Sequence, residues 1–271
     1  MNERKVFIVS DRTGITAEAM AHSLLSQFPG IRFRTVFVPF VDSPEKAGEV
    51  AAQINDAAKG GGRPPLVFAT LVDEKIRETL AGGNGVFFDL FDAFISPLER
   101  ELGAPSSHTA GLAHGMSNQD SYRGRISAIN FALRTDDGLH AEDYERAAVI
   151  VLGVSRVGKT PTCLYLALQY GVHAANHPLT PDDFDHGGLP EPLRPHRKKL
   201  FGLTIKPERL QQIRHERRRN TSYAELERCQ SEISQAEALY RRERIPWLDT
   251  SAMSIEEISA TIMYRAHLRD G

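Results

Sequence analysis

Cysteine is nearly absent from this chain of 271 residues: Cys163 and Cys229 are the only two, far apart and in no Cys-x-x-Cys pair. That excludes a disulfide framework and a cysteine zinc site, and it fits a reducing compartment. An excess of one charge is missing too. Lys and Arg total 33 against 35 Asp and Glu, a formal net charge of −2, so the surface as a whole is not built for nucleic acid. Long apolar runs are lacking: Ala147–Val154 is the longest, far too short to cross a bilayer. At the N-terminus only Val6-Phe7-Ile8-Val9 stands between charged residues, and no secretory signal is legible. A cytoplasmic protein that works away from membranes and nucleic acid is expected.

What the chain does have is alternation. Lys5–Ser10, Phe33–Val41, Leu66–Leu71 and Gly85–Asp89 read as short apolar strands. Between them lie segments of helical spacing, one opened by Ser43-Pro44-Glu45 as N-cap, N1 proline and first-turn acid. A βαβα rhythm predicts a parallel sheet covered on both faces. Ala104–Tyr122 breaks the rhythm with Ser, Gly, His and Asn, and a helix around Arg125–Leu133 follows. Asp136-Asp137-Gly138 reads as a domain boundary. A second series then begins with the apolar strand Ala147–Leu152, the helix Lys159–Tyr170 stopped by Gly171, and further strands at Leu200–Ile205 and Ile245–Asp249. Ser254-Ile-Glu-Glu257 is a capping box for the last helix. The expected architecture is α/β: an N-terminal Rossmann- or flavodoxin-like parallel-sheet domain over 1–138, and a C-terminal P-loop kinase-like α/β domain over 139–271.

The chemistry concentrates in Gly153-Val154-Ser155-Arg156-Val157-Gly158-Lys159-Thr160, which matches G-x-x-x-x-G-K-[ST]. Glycines let such a backbone curl with its N–H groups inward, and the helix that follows adds its positive end. Lys159 supplies a charge for the outer phosphates and Thr160 a hydroxyl for Mg²⁺. The motif sits between an apolar strand and a helix, the context it requires. Pro161, directly after it, withholds one N–H from a bound phosphate.

A metal partner or base of carboxylate type is also expected. Asp182 and Asp183, after the extended stretch His173–Leu179, are preferred, and Asp249 competes. His173 and His177 do not lie on a helix, so a zinc site there is not expected. Residues 194–219 hold ten Lys and Arg against two Glu. The window is either a docking surface for an acidic or phosphorylated partner or a solvated helix face. Ser10–Thr16, at the end of the first strand, is either an anion nest or a turn capped by Thr16.

The run from Leu152 through Gly-Lys-Thr-Pro to Ala167 resembles the bifunctional kinase–pyrophosphorylase regulators of phosphoenolpyruvate synthase and of pyruvate, phosphate dikinase. Val9–Glu18, Lys199–Leu210 and Ile245–Ser251 support the resemblance, which covers nearly the whole chain. The Ile-Pro-Trp block and Gln27-Phe28-Pro29 favour the phosphoenolpyruvate synthase branch. The resemblance implies phosphorylation of a target threonine with ADP, which inactivates the target. It also implies removal of that phosphate by inorganic phosphate, releasing pyrophosphate. A homodimer is implied as well. Lys159 and Thr160 would act on the phosphates, the backbone of Gly153–Gly158 would bind nucleotide, and Asp182 or Asp183 would provide the carboxylate. The dikinase as target, an ATP-dependent P-loop kinase and a nucleotide-gated binding protein are the alternatives.

Overall fold

The computed structural model describes residues 3–59, 63–107, 109, 119–185, 188–217 and 222–268. The chain forms two compact units, Met1–Gly115 and Met116–Gly271, and each is α/β.

In the first unit the strands are β1 (Glu3–Ser10), β2 (Arg32–Val38), β3 (Leu66–Thr70) and β4 (Val86–Asp89). They pair in parallel in the order β2-β1-β3-β4. The helices are α1 (Ile15–Leu25), α2 (Pro44–Ala58), α3 (Glu74–Ala81) and α4 (Asp92–Leu102). Alternation along β1 explains the layers. Phe7 and Val9 point into a cluster with Val50 and Ile54 of α2 and Ile76 and Leu80 of α3, whereas Val6 and Ile8 meet Ala17 and Ala21 of α1 on the other face. Ser43 caps α2 as expected, its side chain accepting from the Lys46 N–H at 3.4 Å. Thr16, in contrast, does not cap α1: Gly14, in the left-handed region at φ 73°, holds that position without a side-chain bond.

The second unit opens with α5 (Gln119–Arg134) and continues with β5 (Val149–Gly153), α6 (Lys159–Tyr170), β6 (Ala174–Pro178), the short α7 (Pro181–Asp185), β7 (Leu200–Thr204), α8 (Pro207–Arg217), α9 (Leu226–Glu243), β8 (Trp247–Asp249) and α10 (Ile255–Arg265). Its four strands are again parallel, in the order β6-β5-β7-β8. The boundary expected at 138 therefore lies inside this unit. The reason is packing: α5 lies against α6 and β6, so Ala128, Phe131 and Ala132 belong to the second core. β5 is buried along its whole length, as a central parallel strand must be. The capping box of α10 is complete, with Ser254 Oγ accepting from the Glu257 N–H at 3.2 Å and Glu257 Oε2 from the Ser254 N–H at 2.8 Å. No described helix is long and apolar enough to cross a membrane.

Candidate functional site

In this strand order β5 has β6 on one side and β7 on the other, and the chain leaves its carboxyl end at the point where successive connections diverge. Ligands of open α/β sheets bind at such a point. The G-x-x-x-x-G-K-[ST] segment occupies it, running from the last residue of β5 into the first turn of α6.

The loop is anchored from beneath and open above. Val154 and Val157 are buried in the core, while Ser155 and Arg156 are exposed at the crest. Two glycines are required by geometry. A Cβ on Gly153 would stand 2.6 Å from Val157 Cγ2 and 2.9 Å from the Leu203 carbonyl. Gly158, the N-cap of α6, has φ 97°, a region that L side chains avoid. The outward carbonyls are claimed by the scaffold. Gly153 O accepts from the Leu179 N–H at 3.0 Å, Ser155 O from Arg214 at 3.2 Å and Val157 O from Thr250 Oγ1 at 3.2 Å. In a trans peptide the N–H points away from the C=O, so the opposite side of these planes presents donors.

Lys159 begins α6 and is only 5% exposed. Its ammonium donates to the Val154 carbonyl at 3.3 Å and so already arches over the loop. Burial pulls its pKa down to about 8, against the pull of Asp137 and Asp136 in the other direction. Thr160 follows, and its hydroxyl donates to Asp136 Oδ1 at 2.8 Å. The side-chain amide of Asn176, on β6, also donates to that oxygen, and Asn176 Oδ1 accepts from the Asp137 N–H at 3.0 Å. Asp136 thus faces Thr160 at the start of α6, held by the neighbouring strand. Next to it on β6, His177 shares a hydrogen bond of 2.9 Å with the Tyr144 hydroxyl, and burial lowers its pKa, with Asp183 opposing.

The sequence-predicted residues from 153 to 160 converge here. The acidic pair does so only in part. Asp183 accepts from the Thr180 N–H at 2.7 Å and from Thr180 Oγ1 at 2.8 Å, closing the first turn of α7; Asp182 is exposed on the same helix. Asp249 accepts from the Ser251 N–H at 2.9 Å and from its hydroxyl, fastening the turn after β8. The residue that sequence reasoning passed over is Asp136, read there as part of a boundary. Its one legible signal is an acidic pair followed by glycine directly behind a helix.

The basic window is not one face. Arg214 is wholly buried, Arg197 pairs with Glu243, and Arg194 Nε is used by the Leu189 carbonyl at 3.1 Å; Arg218 and Arg219 lie outside the described residues. In the first unit, Ser10 Oγ accepts from the Arg12 N–H at 3.2 Å and from Thr70 Oγ1 at 3.0 Å, so that turn satisfies itself. The cavity beside it, of about 680 Å³, is walled by Asp11, Asp42, Asp73 and Glu74 against Arg12 and Arg77, a poor field for an anion. Among the described residues no group of three or more His, Cys, Asp or Glu is placed to hold a metal by itself. Both cysteines are free and buried.

A family model described as kinase/pyrophosphorylase matches residues 6–263. A protein of Bordetella pertussis is 54% identical over 266 residues, covering 98% of this chain and 97% of its own length. One of Aromatoleum aromaticum is 55% identical over 266 residues, 98% and 96% of the two chains. One of Marinobacter nauticus is 51% identical over 267 residues, 98% of each. All three carry the provisional name phosphoenolpyruvate synthase regulatory protein. With a phosphate-loop motif at the sheet's divergence point and a family match over nearly its whole length, this chain belongs to the kinase/pyrophosphorylase family.

Proposed function

We propose that this protein regulates phosphoenolpyruvate synthase by moving one phosphoryl group on and off a threonine of that enzyme. In the forward reaction the threonine oxygen attacks the β-phosphorus of ADP. The bond from that phosphorus to the bridging oxygen breaks, AMP leaves, and the hydroxyl proton is released. In the reverse reaction an oxygen of inorganic phosphate attacks the phosphothreonine phosphorus. The threonine oxygen leaves, takes up a proton, and pyrophosphate is released. Both directions move a phosphoryl group between a threonine oxygen and a phosphate oxygen within one cradle, so positioning and charge neutralisation carry the catalysis. The relatives' shared name supports the target; the family description supports the paired chemistry. The observation that carries the reading is the buried Lys159 over the loop, with Thr160 held against Asp136.

In this reading the backbone of Gly153–Gly158 binds the phosphates of ADP, or the attacking inorganic phosphate, and Lys159 meets the charge that develops on the transferred group. Mg²⁺ suits the donor set: it takes one or two hard protein oxygens and leaves its other positions to phosphates and water, and Thr160 Oγ1 and Asp136 are two such oxygens side by side. Thr160 and Asp136 would hold the ion, which when bound neutralises phosphate charge. Asp136 thus fills the role that the sequence alone assigned to Asp182 or Asp183.

The test is direct. With ADP labelled at the β-phosphate and phosphoenolpyruvate synthase as acceptor, label is expected on a threonine of the target, and added inorganic phosphate should release it as pyrophosphate. Transfer from ATP alone, or none to the target, would overturn the proposal.

The lowered pKa of Lys159 adds a pH dependence. Only the ammonium attracts phosphate, and in the free protein it is charged below pH about 8 and neutral above. Binding above that pH must therefore take up a proton, and ADP affinity should fall by up to about tenfold per pH unit. Calorimetry at about pH 9 in buffers of different ionisation enthalpy is expected to show uptake approaching one proton. Lys159→Arg, whose guanidinium stays charged, should show none. A flat affinity between pH about 7 and 9.5 would refute this.

A further inference from the structure

Among the described residues Arg214 is the bulkiest side chain wholly withdrawn from solvent. A guanidinium in a core is costly unless its charge and N–H groups are used, and this one serves Glu232, Tyr223 and the loop together. From α8, Nη2 donates to Glu232 Oε2 on α9 at 2.6 Å and to the Ser155 carbonyl at 3.2 Å. Nη1 donates to the Tyr223 carbonyl at 3.0 Å. The Tyr223 ring lies against the guanidinium, 4.1 Å from its central carbon, and the Tyr223 hydroxyl donates to Ser155 Oγ at 2.7 Å. Arg228 holds the other oxygen of Glu232 at 2.9 Å. One crest residue of the loop is thus gripped at both its carbonyl and its side chain.

The planar trans peptide makes this grip consequential. With the Ser155 oxygen drawn toward Arg214, the N–H of Arg156 on the same plane is turned the opposite way. Arg156 itself sits at φ 80°, a conformation that a non-glycine residue keeps only when its surroundings hold it there.

Building on the phosphate-loop reading above, we propose that Arg214 is a positioning residue: with Glu232 and Tyr223 it presets the 155–156 peptide so that the Arg156 N–H meets the terminal phosphate of a bound nucleoside diphosphate. A donor fixed before the ligand arrives needs no reorganisation on binding or reaction. Lysine cannot take over this role. It offers a point charge without the flat fork that bridges Glu232, Tyr223 and Ser155 at once.

The experiment compares equilibrium affinities for ADP and AMP in the full-length protein, its Arg214→Lys variant and its Tyr223→Phe variant, with thermal midpoints measured alongside. AMP lacks the terminal phosphate, so a loss confined to ADP reports on that one contact. Arg214→Lys is expected to weaken ADP about tenfold and AMP less than about twofold. Tyr223→Phe, which removes only the bond to Ser155 Oγ, should shift ADP about threefold in the same direction. Should the lysine variant fail to fold, the phenylalanine variant carries the test. A ratio of ADP to AMP affinity unchanged from wild type in the folded variants, or parallel losses for both nucleotides, would overturn the proposal and leave Arg214 as a core ion pair. A wild-type protein that binds neither nucleotide overturns the reading of the loop itself, and the positioning role with it.

Discussion

Lys159→Ala is expected to lose both phosphoryl transfers, each by at least about a hundredfold, while the protein stays folded. Losing a positioned cation at a transferring phosphoryl group costs about 3 kcal/mol or more in the transition state. The position of Lys159 gives that figure its ground: the side chain is 5% exposed and its ammonium reaches the Val154 carbonyl at 3.3 Å, so it waits where the phosphates would lie. Folding should tolerate the change, because burial already works against the charged form, and α6 is well served by alanine at its start. Circular dichroism and thermal melting check the fold; label transfer and pyrophosphate release check the two activities. If either activity survives near its wild-type rate, the two directions do not share one cradle.

The second large effect is expected at Asp136. Asp136→Asn keeps the shape of the side chain but removes its charge, and the amide that replaces one oxygen cannot accept hydrogen bonds or ligate a hard cation. Transfer in both directions should fall at least about a hundredfold, near 3 kcal/mol. The comparison that gives this result its meaning is Asp183→Asn, expected to cost less than about tenfold in rate. Asp183 spends its carboxylate on the N–H and hydroxyl of Thr180, an interaction that shapes α7 and does not touch Thr160. Asp249→Asn should be similarly mild, since its partners are the N–H and hydroxyl of Ser251. Single-turnover assays give the ranking. A larger loss at Asp183 than at Asp136 would return the carboxylate role to the 181–185 turn.

What was legible in the amino-acid order, and what was not, divides along sequence distance. Each strand–helix alternation is a local pattern, as are the Ser43 cap, the capping box at Ser254 and the stop at Gly171, whose φ is 69°. Such signals depend on residues within a few positions of one another. The strand–loop–helix frame of the G-x-x-x-x-G-K-[ST] segment was legible for the same reason: its glycines, Lys159 and Thr160 are contiguous, and the strand and helix that frame it are its immediate neighbours. A boundary judged from Asp136-Asp137-Gly138 went astray because the turn is locally real, but α5 before it shares its buried face with α6 and β6.

The chain's order by itself determined the parallel α/β class and the place of the loop between its strand and its helix, since both follow from period, punctuation and a contiguous motif. Only the tertiary structure decided which carboxylate faces Thr160. Asp136 reaches it because α5 packs on α6 and because β6 pairs beside β5 in a register that sets Asn176 opposite Val151, where its amide holds the 136–137 turn. The same is true of Arg214. In sequence it is one of ten cations in a basic window; in space it is, among the described residues of that window, the one withdrawn into the core between α8 and α9, with its fork on Ser155. Helix packing and strand register are sums of many weak contacts between distant residues, so no short window of sequence contains them.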